Sequence, residues 1–211
     1  MKPMFHYAQY RSSDVGLIRR FVACFPLAMI TSLREGAWQC SHVPLFFDEE
    51  RLELFGHVDA RNDQFDMPVP FSAQLVFAGP DAYIPPEGYA TPQLPTWNYL
   101  AVHATGTVSV IDDGALNLEI LRRSAMRLAA TPSEFRVEDD DPRVRRWIGE
   151  IRGLRVALDS LEGRFKLSQD KQPPDVMAAA RHFSRVAIER SSAELLLGFA
   201  GMPLLVGEIQ S

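Results

Sequence analysis

The chain reads as mainly β with helices (α+β), an antiparallel sheet that closes into a barrel, and three observations predict this. Short runs rich in β-branched and aromatic residues follow one another from Leu27 onward, separated by compact polar turns. One run, Asn98–Ile111, is long and alternates two faces. An antiparallel sheet of six or more such strands with one long member tends to close, because closure removes exposed edges. No internal repeat or composition break divides the 211 residues. One domain over residues 1–211 is expected, with inserted helices around 114–152 and a C-terminal helical segment around 174–200.

Ser13 and Asp14 precede Val15, Ile18, Val22 and Phe25, an apolar stripe at helical spacing capped by a polar side chain and ended by Pro26. Strands are predicted at Leu27–Ser32, Trp38–Phe47 and Leu52–Val58, with Arg34-Glu35-Gly36 and Asp48-Glu49-Glu50 as hairpin turns. Between Arg61 and Pro70 the polar residues and the pair Pro68 and Pro70 leave room for one helical turn at most. Ala73–Ala78 is nearly all apolar, which predicts a central strand covered on both faces. Six prolines and glycines from Pro80 to Pro95 predict a long irregular loop, ordered through Tyr83, Tyr89 and Trp97.

In the long strand Tyr99, Ala101, His103 and Thr105 share one face, and Leu100, Val102, Ala104 and Gly106 the other. Asp112-Asp113-Gly114 opens a helix whose predicted buried stripe is Leu118, Leu121, Ala125 and Leu128. Residues 133–141 read as acidic and solvated. A helix from Pro142 carries Val144, Trp147, Ile148 and Ile151 inward and stops at Gly153. Leu154–Ser168 returns to strand, broken at Glu162-Gly163, and Pro173-Pro174 opens a helix through Val176, Ala180, Phe183 and Ala187.

Composition is that of an ordinary globular chain, 46% hydrophobic and 23% charged, which excludes disorder, collagen and coiled coil. The formal charge of −5 excludes a general nucleic-acid field, so DNA contact has to be local. Two arginine groups offer such faces: Arg122, Arg123 and Arg127 on one helix, and Arg143, Arg145, Arg146 and Arg152 on the next. Solvated helix faces are the commoner reading of such groups. Cys24 and Cys40 are too few for a disulfide framework, and Cys24 in an apolar helix reads as a buried thiol. No apolar run reaches the roughly 18 residues of a membrane span, and the N-terminus lacks the apolar core of a signal peptide, so a cytoplasmic location is expected.

His42, His57 and His103 fall in strands without an H-x-H or HExxH pair, so a metal site is not expected. Half-buried histidines bonded to a neighbour, or facing a ligand, are the readings left open. Residues 57–64 follow a strand with donors that suit an anionic phosphate, Arg61 above all, although a solvated turn has the same composition. No GxGxxG, Walker or G-x-S-x-G pattern occurs.

Several segments resemble one family in order and spacing, from about residue 4 to about residue 185. They are Ser41-His42-Val43-Pro44-Leu45, Gly56-His57, Gly79-Pro80-Asp81-Ala82-Tyr83-Ile84, the stretch Leu94 to His103 that contains P-T-W-N-Y-x-A-V-H, and Phe165-Lys166-Leu167-Ser168-Gln169. Together they resemble the PaiB family of FMN-binding negative transcriptional regulators. The resemblance implies an antiparallel split β-barrel of the FMN-binding type, similar to pyridoxamine-phosphate oxidases and flavin reductases. It implies FMN as cofactor and a homodimer with cofactor sites at the subunit interface. The cofactor contacts it implies are His42, Val43 and Leu45, then Phe55, Gly56 and His57, with Arg61 on the phosphate beside Asn62. By the same resemblance Trp97, Asn98 and His103 shape the ring pocket, and Lys166 and Ser168 face its mouth.

Where the family reads G-H-x-A-R-A-N-P-Q-W, this chain reads G-H-V-D-A-R-N-D-Q-F. The arginine is displaced by one position, which near a strand end turns a side chain to the other face. A flavin-dependent oxidoreductase or flavin reductase on the same fold, and a ligand-binding adaptor that has lost FMN, are the alternative functions.

Overall fold

The computed structural model describes residues 7–48, 50–66, 70–129 and 136–190. The expected form of residues 191–211, and of residues 133–135 of the acidic stretch, lies outside the described residues. Among the described residues two compact units form: one from those within 11–79 and 101–164, the other from those within 7–10, 80–100 and 165–190.

The larger unit is built on a seven-stranded sheet in the order β1-β7-β4-β3-β2-β5-β6, and β7 also pairs with β6, so the sheet closes into the expected barrel. The strands are β1 (Arg11–Ser12), β2 (Leu27–Arg34), β3 (Ala37–Phe47), β4 (Glu53–Asp59), β5 (Phe71–Ile84), β6 (Thr96–Ile111) and β7 (Ile151–Lys166). The β2–β3 turn is Glu35-Gly36, with φ of 50° and 81°. Positive φ at both central positions is the two-residue hairpin geometry that matches strand twist, and glycine takes its share of it without steric cost. The barrel interior is filled from alternate positions, among them Ile30, Leu45, Leu54, Leu75, Val102 and Val156, all fully buried.

Helix α1 (Val15–Cys24) starts at Asp14, whose carboxylate accepts the Leu17 N–H at 3.0 Å. It buries Ile18, Phe21 and Val22. Cys24, expected as a buried thiol, is exposed, because it lies off that stripe. Helix α2 (Gly114–Leu128), capped by Asp113, is turned relative to the expected face. It buries Asn117, Ile120 and Ser124, and leaves Leu128 57% exposed. The reason is Gly153, whose missing side chain leaves room for Ile120 and Asn117 to seat α2 on β7. Gly153 therefore belongs to the strand and does not stop helix α3 (Pro142–Trp147), which is followed by a 3-10 turn at Ile148–Glu150. Val144 is buried as expected, whereas Trp147 is exposed.

Three strand expectations are corrected. On β5, Ser72 and Gln74 are exposed while Phe71, Ala73, Leu75 and Phe77 are buried, because a barrel strand hides one face only. Pro80 does not end β5: the ladder with β2 finishes at Phe77, so the missing N–H breaks no bond on that side. Glu162-Gly163 does not interrupt β7, since Gly163 stays in register with Ser12 of β1.

In the smaller unit helix α4 (Pro173–Arg190) packs Ala179 and Phe183 on Ala82, Ile84 and Tyr89. Phe183 is buried as expected, whereas Ala180 is exposed and Ala179 is buried beside it. Asp175, buried at the start of α4, accepts the N–H groups of Ala90 and Thr91, the Thr91 hydroxyl and the Gln93 amide at 2.7–3.0 Å. These bonds order the proline-rich loop, as the aromatics had suggested.

Candidate functional site

A cleft of about 630 Å³ opens in the larger unit where β3, β4 and the turn after β4 meet the residues preceding β7. Its lining includes His42, Val43, His57, Arg61 and Asn62 of the expected set. Val58, Asp59, Trp147, Glu150 and Ile151 complete it. Volumes of about 300–1,000 Å³ are typical of small-molecule sites.

The β3–β4 hairpin sets the spacing. Gly56 stands opposite Leu45, and a Cβ there would fall inside van der Waals contact of the Pro44 carbonyl. His57 follows, opposite Gly153 of β7. Its Nδ1 is buried without a hydrogen-bond partner, and desolvation holds the imidazole below its ordinary 6.5. A neutral imidazole can donate or accept one hydrogen bond at such a nitrogen.

Asn62 is fixed from two sides, its Oδ1 accepting the Gln64 N–H at 3.2 Å and its Nδ2 donating to Ser41 Oγ at 3.0 Å. Gln64 in turn is buried and donates to the Ile30 carbonyl and Ser32 Oγ, both at 3.1 Å. The opposite wall is tied in by the Ala60 N–H, which donates to the Glu150 carbonyl at 2.8 Å. Trp147 stands on that wall, 55% exposed, with the Arg146 guanidinium 4.8 Å from its ring centroid.

Arg61, expected on a phosphate, is paired bidentately with Asp59. Nε and a terminal nitrogen donate to the two carboxylate oxygens at 3.0 and 2.7 Å, and the Arg61 N–H donates to Asp59 at 2.9 Å. These bonds hold the Asp59 carboxyl at about 2 and push Arg61 above its usual range.

The remaining expected residues are placed elsewhere. Leu45 fills the barrel interior. Phe55 is covered by α2, between Phe46 at 5.7 Å and the Arg123 guanidinium at 4.0 Å. His103, half-buried on β6, is not part of the lining. Trp97, Asn98, Lys166 and Ser168 lie in the smaller unit. There Asn98 and Ser168 are buried and bonded to each other at 2.9 Å, and the Tyr89 hydroxyl lies 3.1 Å from Ser168 Oγ. Ser168 has φ of 62°, a conformation that non-glycine residues seldom adopt. Trp97 Nε1 donates to Asp81 at 3.0 Å and Lys166 Nζ to Thr96 at 2.6 Å. Sequence reasoning missed the Trp147–Glu150 wall and the role of Asp59; the Asp-x-Arg spacing of 59 and 61 was the available signal.

The arginine faces considered for DNA are largely matched by carboxylates. Arg122 pairs with Asp139, Arg123 with Asp48, Arg143 with Asp141, and Arg152 with Asp66 and Asp112. Among the described residues no group of three or more His, Cys, Asp or Glu is placed to hold a metal ion.

Residues 4–160 match the family model described as "Putative FMN-binding domain". The chain is 26% identical over 182 residues to "Protease synthase and sporulation protein PAI 2" of Bacillus subtilis (strain 168), covering 80% of this chain and 83% of that protein. Among solved structures it is similar to the flavocytochrome Anf3 from Azotobacter vinelandii, with a TM-score of 0.61 and 15% identity over 83% of this chain and 77% of that one. The FAD and heme binding protein from Mycobacterium smegmatis gives the same TM-score and identity over 81% and 80%. These likenesses establish the fold, a split barrel.

Proposed function

Because the chain belongs to the PaiB-type family of FMN-binding domains, we propose that the cleft beside His57 holds the phosphate-bearing end of FMN in a regulatory flavoprotein. The observation that carries the reading is the convergence of three polar groups on one cleft: the unpartnered Nδ1 of His57, the fixed amide of Asn62 and the guanidinium of Arg61. Such groups suit an oxyanion, and the exposed ring of Trp147 offers an apolar wall beside them. When bound, the flavin supplies redox chemistry; the residues here bind and orient it.

The outer barrel face supports a homodimer. Leu27, Leu33 and Trp38 are 53%, 52% and 73% exposed, and Leu27 and Leu33 stand in register with Pro44 and Trp38 across β2 and β3. A second copy covering this apolar face lies beside His42, which is exposed on the same face of β3 and lines the cleft. A regulatory role is what the family resemblance implies, and with the arginine faces matched by carboxylates it runs through the flavin or a partner more readily than through a broad DNA-binding surface.

The test is titration of the purified chain with FMN, read by quenching of flavin fluorescence and by thermal stability. Saturable binding with a raised melting temperature is expected. No binding and no thermal shift at millimolar FMN refutes the cofactor reading. Light scattering gives the dimer, and Trp38→Glu is expected to shift it toward monomer.

A further inference from the structure

We propose that Asp59 is a specificity determinant of the cleft, its carboxylate competing with a ligand's terminal phosphate for Arg61. The inference rests on the flavin reading of the cleft and goes beyond it, because it assigns a residue that works against the phosphate. Among the described residues Arg61 is the one guanidinium on the lining, and its Nε and one terminal nitrogen already donate to both carboxylate oxygens of Asp59. Asp59 also accepts the Arg61 N–H, so the pair closes on itself within a three-residue turn. Glu150 adds a second carboxylate to the same lining, and its charge acts on Arg61.

The charged side chains of the cleft are thus two carboxylates against one guanidinium, a formal balance of −1 with the histidines counted neutral. A phosphate dianion entering there meets repulsion from Asp59 and Glu150, and must either share Arg61 through its remaining N–H groups, with the charge already half-neutralised, or displace Asp59 from the bidentate pair. A ligand without a phosphate meets neither cost. The geometry therefore narrows the preference for a phosphorylated flavin over the same flavin without its phosphate. Both side chains are largely solvent-exposed, 79% for Arg61 and 51% for Asp59, so the exchange needs no unfolding and the competition is modest.

The experiment compares FMN and riboflavin affinities, by flavin fluorescence, for the full chain and for Asp59→Asn, Asp59→Ala and Arg61→Ala. Asp59→Asn keeps an oxygen acceptor for the Arg61 N–H while removing the charge, which guards against simple loosening of the turn. Both Asp59 variants are expected to bind FMN about two- to tenfold more tightly, with riboflavin changed by less than about twofold, as release of an exposed ion pair and its repulsion implies. Arg61→Ala is expected to bring FMN and riboflavin affinities together. Weaker FMN binding in Asp59→Asn, or equal tightening of both flavins, overturns the proposal while leaving the flavin site standing. A second arm follows the Arg61 Nε–H resonance by NMR during titration with inorganic phosphate. Asp59→Asn is expected to shift that response to lower phosphate whether or not flavin binds. Absence of flavin binding in every variant refutes the flavin reading, and an unchanged phosphate response refutes the role of Asp59.

Discussion

Replacing Asn117 with alanine is expected to destabilise the larger unit by about 2–4 kcal/mol, a large share of the 5–15 kcal/mol typical of a folded domain. Asn117 is buried on α2 and bonded twice to the strand it covers. Its Oδ1 accepts the buried Gly153 N–H at 2.8 Å, and its Nδ2 donates to the Ile151 carbonyl at 3.3 Å. Alanine strands the Gly153 N–H, which costs about 1–3 kcal/mol, and removes the second bond, worth about 0.5–1.5 kcal/mol. Water has no ready access, since Ile120 sits against the same glycine. Urea unfolding followed by circular dichroism measures the change, expected as a lower midpoint with an unchanged slope. Because Ile151 and Glu150 wall the cleft, flavin affinity should fall together with stability. A loss below about 0.5 kcal/mol refutes the argument that these bonds seat α2 on β7.

Gly56→Ala places a methyl group against the Pro44 carbonyl, which is backbone and yields poorly; a loss of about 1–3 kcal/mol is expected in the same urea assay. His57 should titrate below 6.5 by NMR, because burial disfavours its charged form, and bound FMN should raise that midpoint. The Asp175 carboxyl is held below its ordinary 3.8, first by the Thr91 hydroxyl, so its contribution is present above 3.8 and disappears as pH falls through the lowered folded value. Asp175→Asn should therefore be less stable than the unaltered chain at pH 7, with the gap narrowing as pH drops below about 4.

The barrel could be read before it was seen because its signals are local. Asp14 and Asp113 cap the helices they precede, and Glu35-Gly36 forms the hairpin its composition suggests. What escaped were faces set by distant partners. The α2 stripe is turned because Gly153, 36 residues beyond Asn117, leaves space for it, and no periodicity within α2 carries that information. Gly153 itself looked like a helix stop, since a glycine that admits a neighbour and one that ends a helix are the same letter. Trp147 has an apolar side chain on a six-residue helix, and its exposure follows from the cleft wall it forms.

The cleft divides in the same way. Residues 42, 43, 57, 61 and 62 come together because the β3–β4 pairing brings two short segments side by side, and strand register is well specified by alternating burial. The charge state of the site was hidden for a different reason. An Asp two residues before an Arg can leave the guanidinium available or hold it, and only the backbone conformation at 59–61 decides between them. Here the Arg61 N–H and side chain both turn onto Asp59, so a residue that reads in one dimension as a phosphate donor is, in three, already engaged. The same spacing recurs at Asp141 and Arg143 with the same outcome, a bidentate pair at a helix start. Arginine counts along this chain thus overstate its free positive charge, in the cleft and on the helices, and a ligand or nucleic acid must compete with carboxylates the fold has placed beside them.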